Sequence, residues 1–372
     1  MKKLFKGILG ITSYCIFRIV FRSRELLVIE TNIFGHAILE SALLSRYMEE
    51  NPKRKVFYVL HSHSANTFLT ESIIRTLTEL NLRQNILAPH AIHGQDILVN
   101  RMKIDRKLKT VQFQEELTHL TASNLKDEYL PKFKFRSELN GHKYEANKSI
   151  IFMNRSAAYK KFQESSNLHA YRDFDFSTLD SLDIKPSDSM QFIRIGVPDG
   201  VATSNPKIID RRQEIAGDPE LDIKVQLSAT GYFGADSGPA WFALALSKPV
   251  AFINMIPLNQ VSPPQAEKLV VIPKLIYSKR LERLLTLSEM LSPEVSLLRN
   301  SIEYNAVDLQ PISNTSEDAS NFFSDWLSML TSSSDIVNEN YMREIRSKFN
   351  LPNLPSIHSR FVENHPEVFS IE

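Results

Sequence analysis

The stretch YFGADSGPAWFALALSKPVAFIN, residues 232 to 254, places a polar, glycine-containing turn between two apolar runs. Asp236, Ser237 and Gly238 supply a carboxylate, a hydroxyl and an unhindered backbone just before Pro239, a residue suited to a first helical turn. Amide groups at such a helix N-terminus, aided by the helix dipole, bind anions such as phosphate. The pattern predicts a phosphate-binding turn, and a plain strand–turn–helix connection with a serine cap is the alternative.

Two arginines and one histidine follow predicted strands, where the arginines could bind a phosphate and the histidine could act as a base. Arg155 and Arg194 each fall near the carboxyl end of a predicted strand, where a guanidinium can bind a phosphate through two hydrogen bonds. A surface or interdomain ion pair is the alternative for each. His36 follows Gly35 after the first apolar run, and histidine is suited to take a proton near neutral pH. A helix cap or a contact to donor phosphate is the alternative for His36.

The sequence predicts no bound metal and no cofactor. Asp173 and Asp175 form a D-F-D element, but aromatic residues surround it after a loop. The histidine pairs at 61 and 63 and at 90 and 93 have no nearby acids or cysteines that would complete a metal site. We therefore expect protein amides and cations to supply the positive charge.

Apolar runs that alternate with amphipathic segments predict the elements that position these residues. Strands are predicted at 26–30, 55–60, 149–154, 190–196 and 249–255, with helical patterns between most of them, whereas 208–215 is expected to be a short connection. Such alternation implies α/β domains with parallel sheets. We predict domains over 25–147 and 148–315, followed by C-terminal helices and a tail over 316–372. The apolar residues at helical spacing in that last segment are expected to be core, namely Phe322, Phe323, Trp326, Leu327 and Leu330.

The overall charge and the first 24 residues bear on where the protein works. The 44 basic and 43 acidic residues nearly cancel, so no global field recruits nucleic acid, and the single cysteine, Cys15, fits a reducing compartment. Residues 1–24 are basic and apolar, with no acid before Glu25, and Arg18 leaves the apolar run too short to span a bilayer. They predict an amphipathic helix on the inner face of the cytoplasmic membrane. A helix packed on the domain and a signal anchor are the alternatives.

The sequences of two stretches resemble those of bacterial glycosyltransferases. DSGPAWFALALSKPV, residues 236–250, resembles the corresponding stretch of lipopolysaccharide heptosyltransferases. Residues 149–318 are similar to a family of glycosyltransferases from bacterial surface-polysaccharide loci. That similarity lies in Arg155, Ser156 and Tyr159 after the first strand, in YRDFDF at 171–176, in IRIG at 193–196 and in the run from Leu221 to Gly238.

This resemblance implies the GT-B architecture, in which two Rossmann-like domains face each other across a cleft and the second domain holds most of the donor. It implies metal-independent, inverting transfer of a sugar from a nucleotide-sugar donor to a lipid-linked or saccharide acceptor. His36 would be the catalytic base, although the heptosyltransferases have an acidic residue after the glycine. The implied donor-binding residues are Arg155, Arg194, Asp236, Ser237 and Gly238, and further contacts are Gly35, Tyr159, Tyr171 and Arg172. A sugar-nucleotide epimerase of the same fold, or a non-catalytic sugar-nucleotide-binding partner of an assembly complex, is the alternative function.

Overall fold

The computed structural model describes the second half of the chain almost completely and parts of the first half. The described residues are 25–29, 35, 37–38, 41, 56–60, 65–79, 148–155, 170–184, 190–198, 200–246, 248–260, 269–298, 300–332, 334–352 and 354–370. The amphipathic segment 1–24, His36, Tyr159 and the four histidines at 61, 63, 90 and 93 lie outside them. The chain divides into two compact units, Met1–His142 and Lys143–Glu372, and each is described by itself.

The described part of the first unit has a parallel pair of strands. Strand β1 (Glu25–Ile29) pairs with β2 (Val56–Leu60) in parallel, from Glu25 opposite Val56 to Ile29 opposite Leu60. Helix α1 (Thr67–Glu79) begins after Asn66, whose Oδ1 accepts a hydrogen bond of 2.9 Å from the Leu69 amide. Gly35 already has helical backbone and is buried, so the helix after β1 begins earlier than the sequence suggests. The predicted strand–helix alternation is confirmed in this unit.

The second unit contains a seven-stranded, wholly parallel sheet and a small antiparallel sheet. Its strands are β3 (Lys148–Met153), β4 (Met190–Arg194), β5 (Ile208–Asp210), β6 (Gly231–Gly234), β7 (Val250–Met255), β8 (Leu269–Pro273), β9 (Leu275–Ser278), β10 (Arg283–Leu284), β11 (Leu309–Ile312) and β12 (Ser356–Ile357). The parallel sheet has the order β12-β8-β7-β6-β3-β4-β5. The residues of β6, β7 and β8 are all buried, as expected for a parallel sheet covered on both faces. The predicted α/β class is confirmed.

Helices cover this sheet, and several begin at a side-chain cap. They are α2 (Ser177–Asp180), α3 (Arg212–Ala216), α4 (Pro219–Ser228), α5 (Gly238–Ala245), α6 (Leu287–Leu291), α7 (Pro293–Ser296), α8 (Ser301–Ala306), α9 (Ser316–Ser332), α10 (Glu339–Lys348), α11 (Ser359–Asn364) and α12 (Pro366–Phe369). Asp218 caps α4 by accepting from the amides of Glu220 and Leu221, and Pro219 occupies the first turn. The expectation that 208–215 is only a connection is wrong. Three residues there pair with β4 at the edge of the sheet, and α3 follows.

Residues after 315 belong to the core of the second unit. Phe323 of α9 packs its ring 5.0 Å from Phe233 of β6 and 5.4 Å from Phe152 of β3. Trp326 is fully buried 5.6 Å from Phe233. The prediction that the aromatic residues of this segment are core is confirmed, and β12 adds an edge strand next to β8 that the sequence did not reveal.

The antiparallel sheet is attached to the carboxyl edge of the parallel one. A single residue, Lys274, separates the end of β8 from the start of β9, and the antiparallel sheet has the order β10-β9-β11. After β11 the chain returns through Asn314, whose side chain accepts from the Asn254 amide at 2.6 Å and donates to the Pro273 carbonyl at 2.7 Å. These bonds join the small sheet to the ends of β7 and β8. The sequence pattern did not predict this sheet.

Candidate anion-binding site

The predicted turn lies where the direction of the sheet topology changes. The first strand of the unit, β3, has β4 and β5 on one side and β6, β7 and β8 on the other. The chain therefore leaves β3 toward β4 and leaves β6 toward β7, in opposite directions along the strand order. In open parallel sheets, ligands bind outside the carboxyl ends of the strands at such a switch point. Gly234 ends β6 there, with φ +152, and a Cβ on it would lie 2.0 Å from the Met153 carbonyl oxygen. Only glycine allows this close approach of β3 and β6.

The turn after β6 presents backbone amides, while its serine hydroxyl points into the protein. Helix α5 starts at Gly238, Pro239 has no amide hydrogen, and the amides of Gly238 and Ala240 have no acceptor within the helix because they belong to its first turn. The Ser237 Oγ lies 2.8 Å from the Tyr232 hydroxyl, and Ser237 is 8% exposed. Burial raises the pKa of Tyr232, so that partner stays protonated and neutral. Gly238 and Pro239 are only half-buried, so the start of the helix is not sealed.

Asp236 is held on two sides at the start of α5. Arg172 forms an ion pair with its carboxylate and also donates to its main-chain oxygen at 2.9 Å. The indole Nε1 of Trp241, in the first turn of α5, donates to Asp236 Oδ1 at 3.1 Å. The carboxylate therefore fixes both the turn and the Arg172 guanidinium. The structure brings together two residues that the sequence had named separately.

A short segment crosses the carboxyl ends of the strands, and we call residues 170–174 the strap. The strap contains a 3-10 turn, Ala170–Arg172. At β3 it is held by the Phe174 amide, which donates to the Arg155 carbonyl at 3.2 Å, and by the Asn154 side chain, which donates to the Phe174 carbonyl at 3.2 Å. At β6 it is held by the pair of Arg172 with Asp236. The strap thus spans the switch point between β3 and β6.

The strap gathers three cations and two carboxylates. The Arg155 Nε lies 3.4 Å from Asp173 Oδ1, and the Lys274 Nζ donates to the Asp173 carbonyl at 2.7 Å. With Arg172 and Asp236, the described residues of the cluster include three basic and two acidic side chains. Burial lowers the pKa of Lys274 to about 8, and the charge of Asp173 partly opposes that shift. Basic side chains beside a helix N-terminus are suited to an anion.

Tyr171 and Arg194 are buried, each in its own environment. The Tyr171 ring, on the strap, packs 5.4 Å from the ring of Tyr304 in α8. Arg194 is 0% exposed, donates to the Val201 carbonyl at 2.8 Å and lies 3.6 Å from Asp210. Its guanidinium also lies 3.4 Å from the centre of the Phe176 ring. Arg194 therefore lies beneath the loop that follows β4, and its ion pair with Asp210 is neither at the surface nor between the two units.

Sequence reasoning missed Lys274 and Trp241 and considered Asp173 only as a metal ligand. The signal for Lys274 was a single charge directly after the apolar run LVVIP, because a charge at the end of a buried strand needs a partner or a ligand. The part of the chain that the structure describes contains no group of three or more histidine, cysteine, aspartate or glutamate residues able to hold a metal ion. Among the same residues, no helix is long and apolar enough to cross a membrane.

The chain has distant similarity to solved heptosyltransferases. No protein-family model and no curated protein matches this sequence. It is similar to ADP-heptose LPS heptosyltransferase II of E. coli (12% identity, TM-score 0.34, covering 76% of this chain and 98% of that one). It is also similar to the E. coli heptosyltransferase WaaC with ADP-2-deoxy-2-fluoro heptose (10% identity, TM-score 0.39, covering 81% and 99%). At this level of similarity, the activity of those proteins does not transfer to this chain.

Proposed function

We propose that this protein is a glycosyltransferase that moves a sugar from a nucleotide-sugar donor to a lipid-linked or saccharide acceptor in bacterial surface-polysaccharide synthesis. The observation that carries the proposal is the position of the three cations that the strap brings together. Arg155 and Lys274 bind Asp173 of the strap, and the preceding strap residue, Arg172, pairs with Asp236 just before α5, at the switch point of a parallel sheet. This is where a diphosphate would find both amide donors and cations.

The chemistry of glycosyl transfer needs this arrangement of charge. As the bond between the anomeric carbon and the phosphate oxygen breaks, negative charge develops on the departing nucleoside diphosphate and positive charge on the sugar ring. The amide of Gly238 and the guanidinium groups of Arg155 and Arg172 would stabilise the departing diphosphate without a metal. Asp236 would keep Arg172 in place and orient the turn. Arg194 and the Ser237 hydroxyl would support the site without contacting the diphosphate, because both are hydrogen-bonded to protein groups.

The acceptor half of the reaction is assigned from the sequence. An acceptor hydroxyl would attack the anomeric carbon from the face opposite the diphosphate, which inverts the configuration, and His36 would take its proton. Gly35 and Tyr159, with Tyr171, are further proposed contacts. The basic, apolar segment 1–24 would hold the enzyme at the inner face of the cytoplasmic membrane, where a lipid-linked acceptor is present.

A nucleotide-sugar panel tests the proposal on the full-length protein. Thermal unfolding would be followed with ADP-, GDP-, UDP-, CDP- and dTDP-sugars, and we expect one nucleotide class to raise the melting temperature. A ligand that binds only the folded state adds about 2.7 kcal/mol when its free concentration is about 100 times Kd. If no nucleotide class has an effect, the proposal is wrong. Release of the nucleoside diphosphate only when an acceptor is added would separate a transferase from an epimerase or a binding partner.

A further inference from the structure

Two lysines in the second unit, Lys274 buried and Lys248 half-buried, differ in their hydrogen bonds. Lys248 precedes β7, at the amino edge of the sheet, and its Nζ donates to the carbonyls of Gln226, Leu227 and Ala229 at 2.5 to 2.9 Å. These carbonyls lie at or just after the carboxyl end of α4, so Lys248 caps that helix with all three of its N–H groups. Burial lowers the pKa of Lys248 to about 8, as it does for Lys274.

Lys274 lies at the opposite, carboxyl edge, and has only one protein acceptor. It follows β8, its backbone amide donates to the Met255 carbonyl at 3.0 Å, and the residue is 4% exposed. Within the described residues, the Asp173 carbonyl, 2.7 Å away, is the single acceptor for its ammonium group. An ammonium group has three N–H donors, and burying such a charge is unfavourable unless it is paired and hydrogen-bonded. Lys274 therefore has donors left for a ligand.

The residues around Lys274 indicate what that ligand is. The charge of Asp173 acts on Lys274, and the Asp173 Oδ1 itself lies 3.4 Å from the Arg155 Nε. Arg172, next to Asp173, is paired with Asp236 at the start of α5. The Nζ of Lys274 thus binds Asp173, and the neighbouring residue Arg172 contacts the turn at the helix N-terminus. An anion placed between the helix start and the strap would complete the hydrogen bonds of Lys274.

We propose that Lys274 is a phosphate-binding residue of the donor site, which holds the strap with one N–H and binds diphosphate oxygens with the others. This inference rests on the proposed function, because it takes the anion to be the diphosphate of the nucleotide-sugar donor. It assigns to Lys274 a direct contact with the departing group, in addition to its contact with the Asp173 carbonyl.

The test compares a nucleoside diphosphate with the nucleoside that lacks its charge. Isothermal titration of the full-length protein with ADP, GDP, UDP, CDP and dTDP identifies the tightest diphosphate, which is then compared with its own nucleoside. For Lys274→Met we expect the diphosphate to bind ~10- to 100-fold more weakly, the usual loss when a buried charged partner is removed. The nucleoside should bind as it does to the unchanged protein. Lys248→Met is the matched control and should alter neither affinity.

A pH series with Lys274→Arg separates charge from packing. Diphosphate affinity of the unchanged protein should fall as the pH rises through about 8, because Lys274 then loses its proton. Its neighbours in the cluster are the Asp173 and Asp236 carboxylates and the Arg155 and Arg172 guanidinium groups, and groups of these types do not titrate between pH 8 and 9.5. Lys274→Arg should bind the diphosphate and keep a flatter profile over that interval.

The outcomes distinguish this inference from the function on which it rests. Unchanged diphosphate affinity in Lys274→Met, or an equal loss for diphosphate and nucleoside, would show that Lys274 only holds the strap. If Lys274→Met does not fold, the Lys274→Arg profile decides, and a decline through pH 8 identical to that of the unchanged protein overturns the inference. No binding of any of the five diphosphates to the unchanged protein would overturn the proposed function together with this inference.

Discussion

Lysine side chains have different surroundings at the amino ends and at the carboxyl ends of the strands of the seven-stranded sheet, which are called here its amino and carboxyl edges. At the amino edge, Lys248 meets the carbonyls at the end of α4 and is fully hydrogen-bonded. At the carboxyl edge, Lys274 lies beside the strap, close to the amide end of α5. In a parallel α/β unit, helices run opposite to the strands, so negative helix ends gather at one edge and positive ends at the other. A lysine is a cap at the first edge and a ligand-binding group at the second.

The comparison also separates stability from binding. Groups at the amino edge are satisfied by the protein itself, so their removal should change the free energy of unfolding and leave ligand affinity unchanged. Groups at the carboxyl edge form a cluster with three basic side chains, so their removal should act mainly on affinity. Gly234 is the exception at that edge, because it allows β3 and β6 to meet at all.

Gly234→Ala should have the largest effect. The added Cβ would lie 2.0 Å from the Met153 carbonyl oxygen, at a φ of +152 that side chains rarely adopt. We expect a loss on the order of 4 kcal/mol or more in the free energy of unfolding, or failure to fold. Urea unfolding followed by circular dichroism measures it. Gly200→Ala is the control, since its φ is +80 with nothing within 4 Å, and should cost only about 1 to 2 kcal/mol. Equal losses would contradict the close approach at the switch point.

Arg172→Ala should have the next largest effect, and on binding rather than on folding. It removes the ion pair with Asp236 and one cation of the cluster. We expect nucleoside diphosphate affinity to fall ~10- to 100-fold with a stability loss of only ~1 kcal/mol. Titration calorimetry and urea unfolding measure the two effects. Arg211→Ala, which removes an exposed pair with Glu214, should change neither appreciably. An unaltered diphosphate affinity in Arg172→Ala would remove the strap from the binding site.

Lys248→Met should have the smallest effect and should alter the pH dependence of stability. It leaves three carbonyls without their donor, and we expect a loss of ~1 kcal/mol near pH 7. Burial lowers the pKa of Lys248 to about 8, so between pH 8 and about 10 the unfolded chain binds more protons than the folded protein. Stability of the unchanged protein should therefore gain from this residue as the pH rises over that interval.

The variant should lack that gain, which appears as a smaller rise in the free energy of unfolding from pH 8 to 10. Lys279→Met, in an exposed turn, is the control and should keep the full rise. A Lys248→Met variant whose stability follows the same pH curve as the unchanged protein would show that Lys248 is not buried as a charged group.

Local signals were enough to predict much of the second unit. The apolar runs that became β3, β4 and β7 are readable because each depends on neighbours a few positions away. The turn from Asp236 to Pro239 was predicted for the same reason. The antiparallel sheet and β12 were not, because short strands at an edge are stabilised by partners distant in the chain.

The sequence by itself determined the α/β class, the strand–turn–helix at 231–245 and the aromatic core of α9. Tertiary structure alone decided that the Ser237 hydroxyl turns inward, that Arg194 is buried, and that Arg172 and Lys274 meet at the strap. The hydrogen bonds that make the cluster join residues 64 and 101 positions apart in the chain. Periodicity reveals the face of an element, but strand order decides which loops meet at the carboxyl edge, and that order depends on packing across the whole unit.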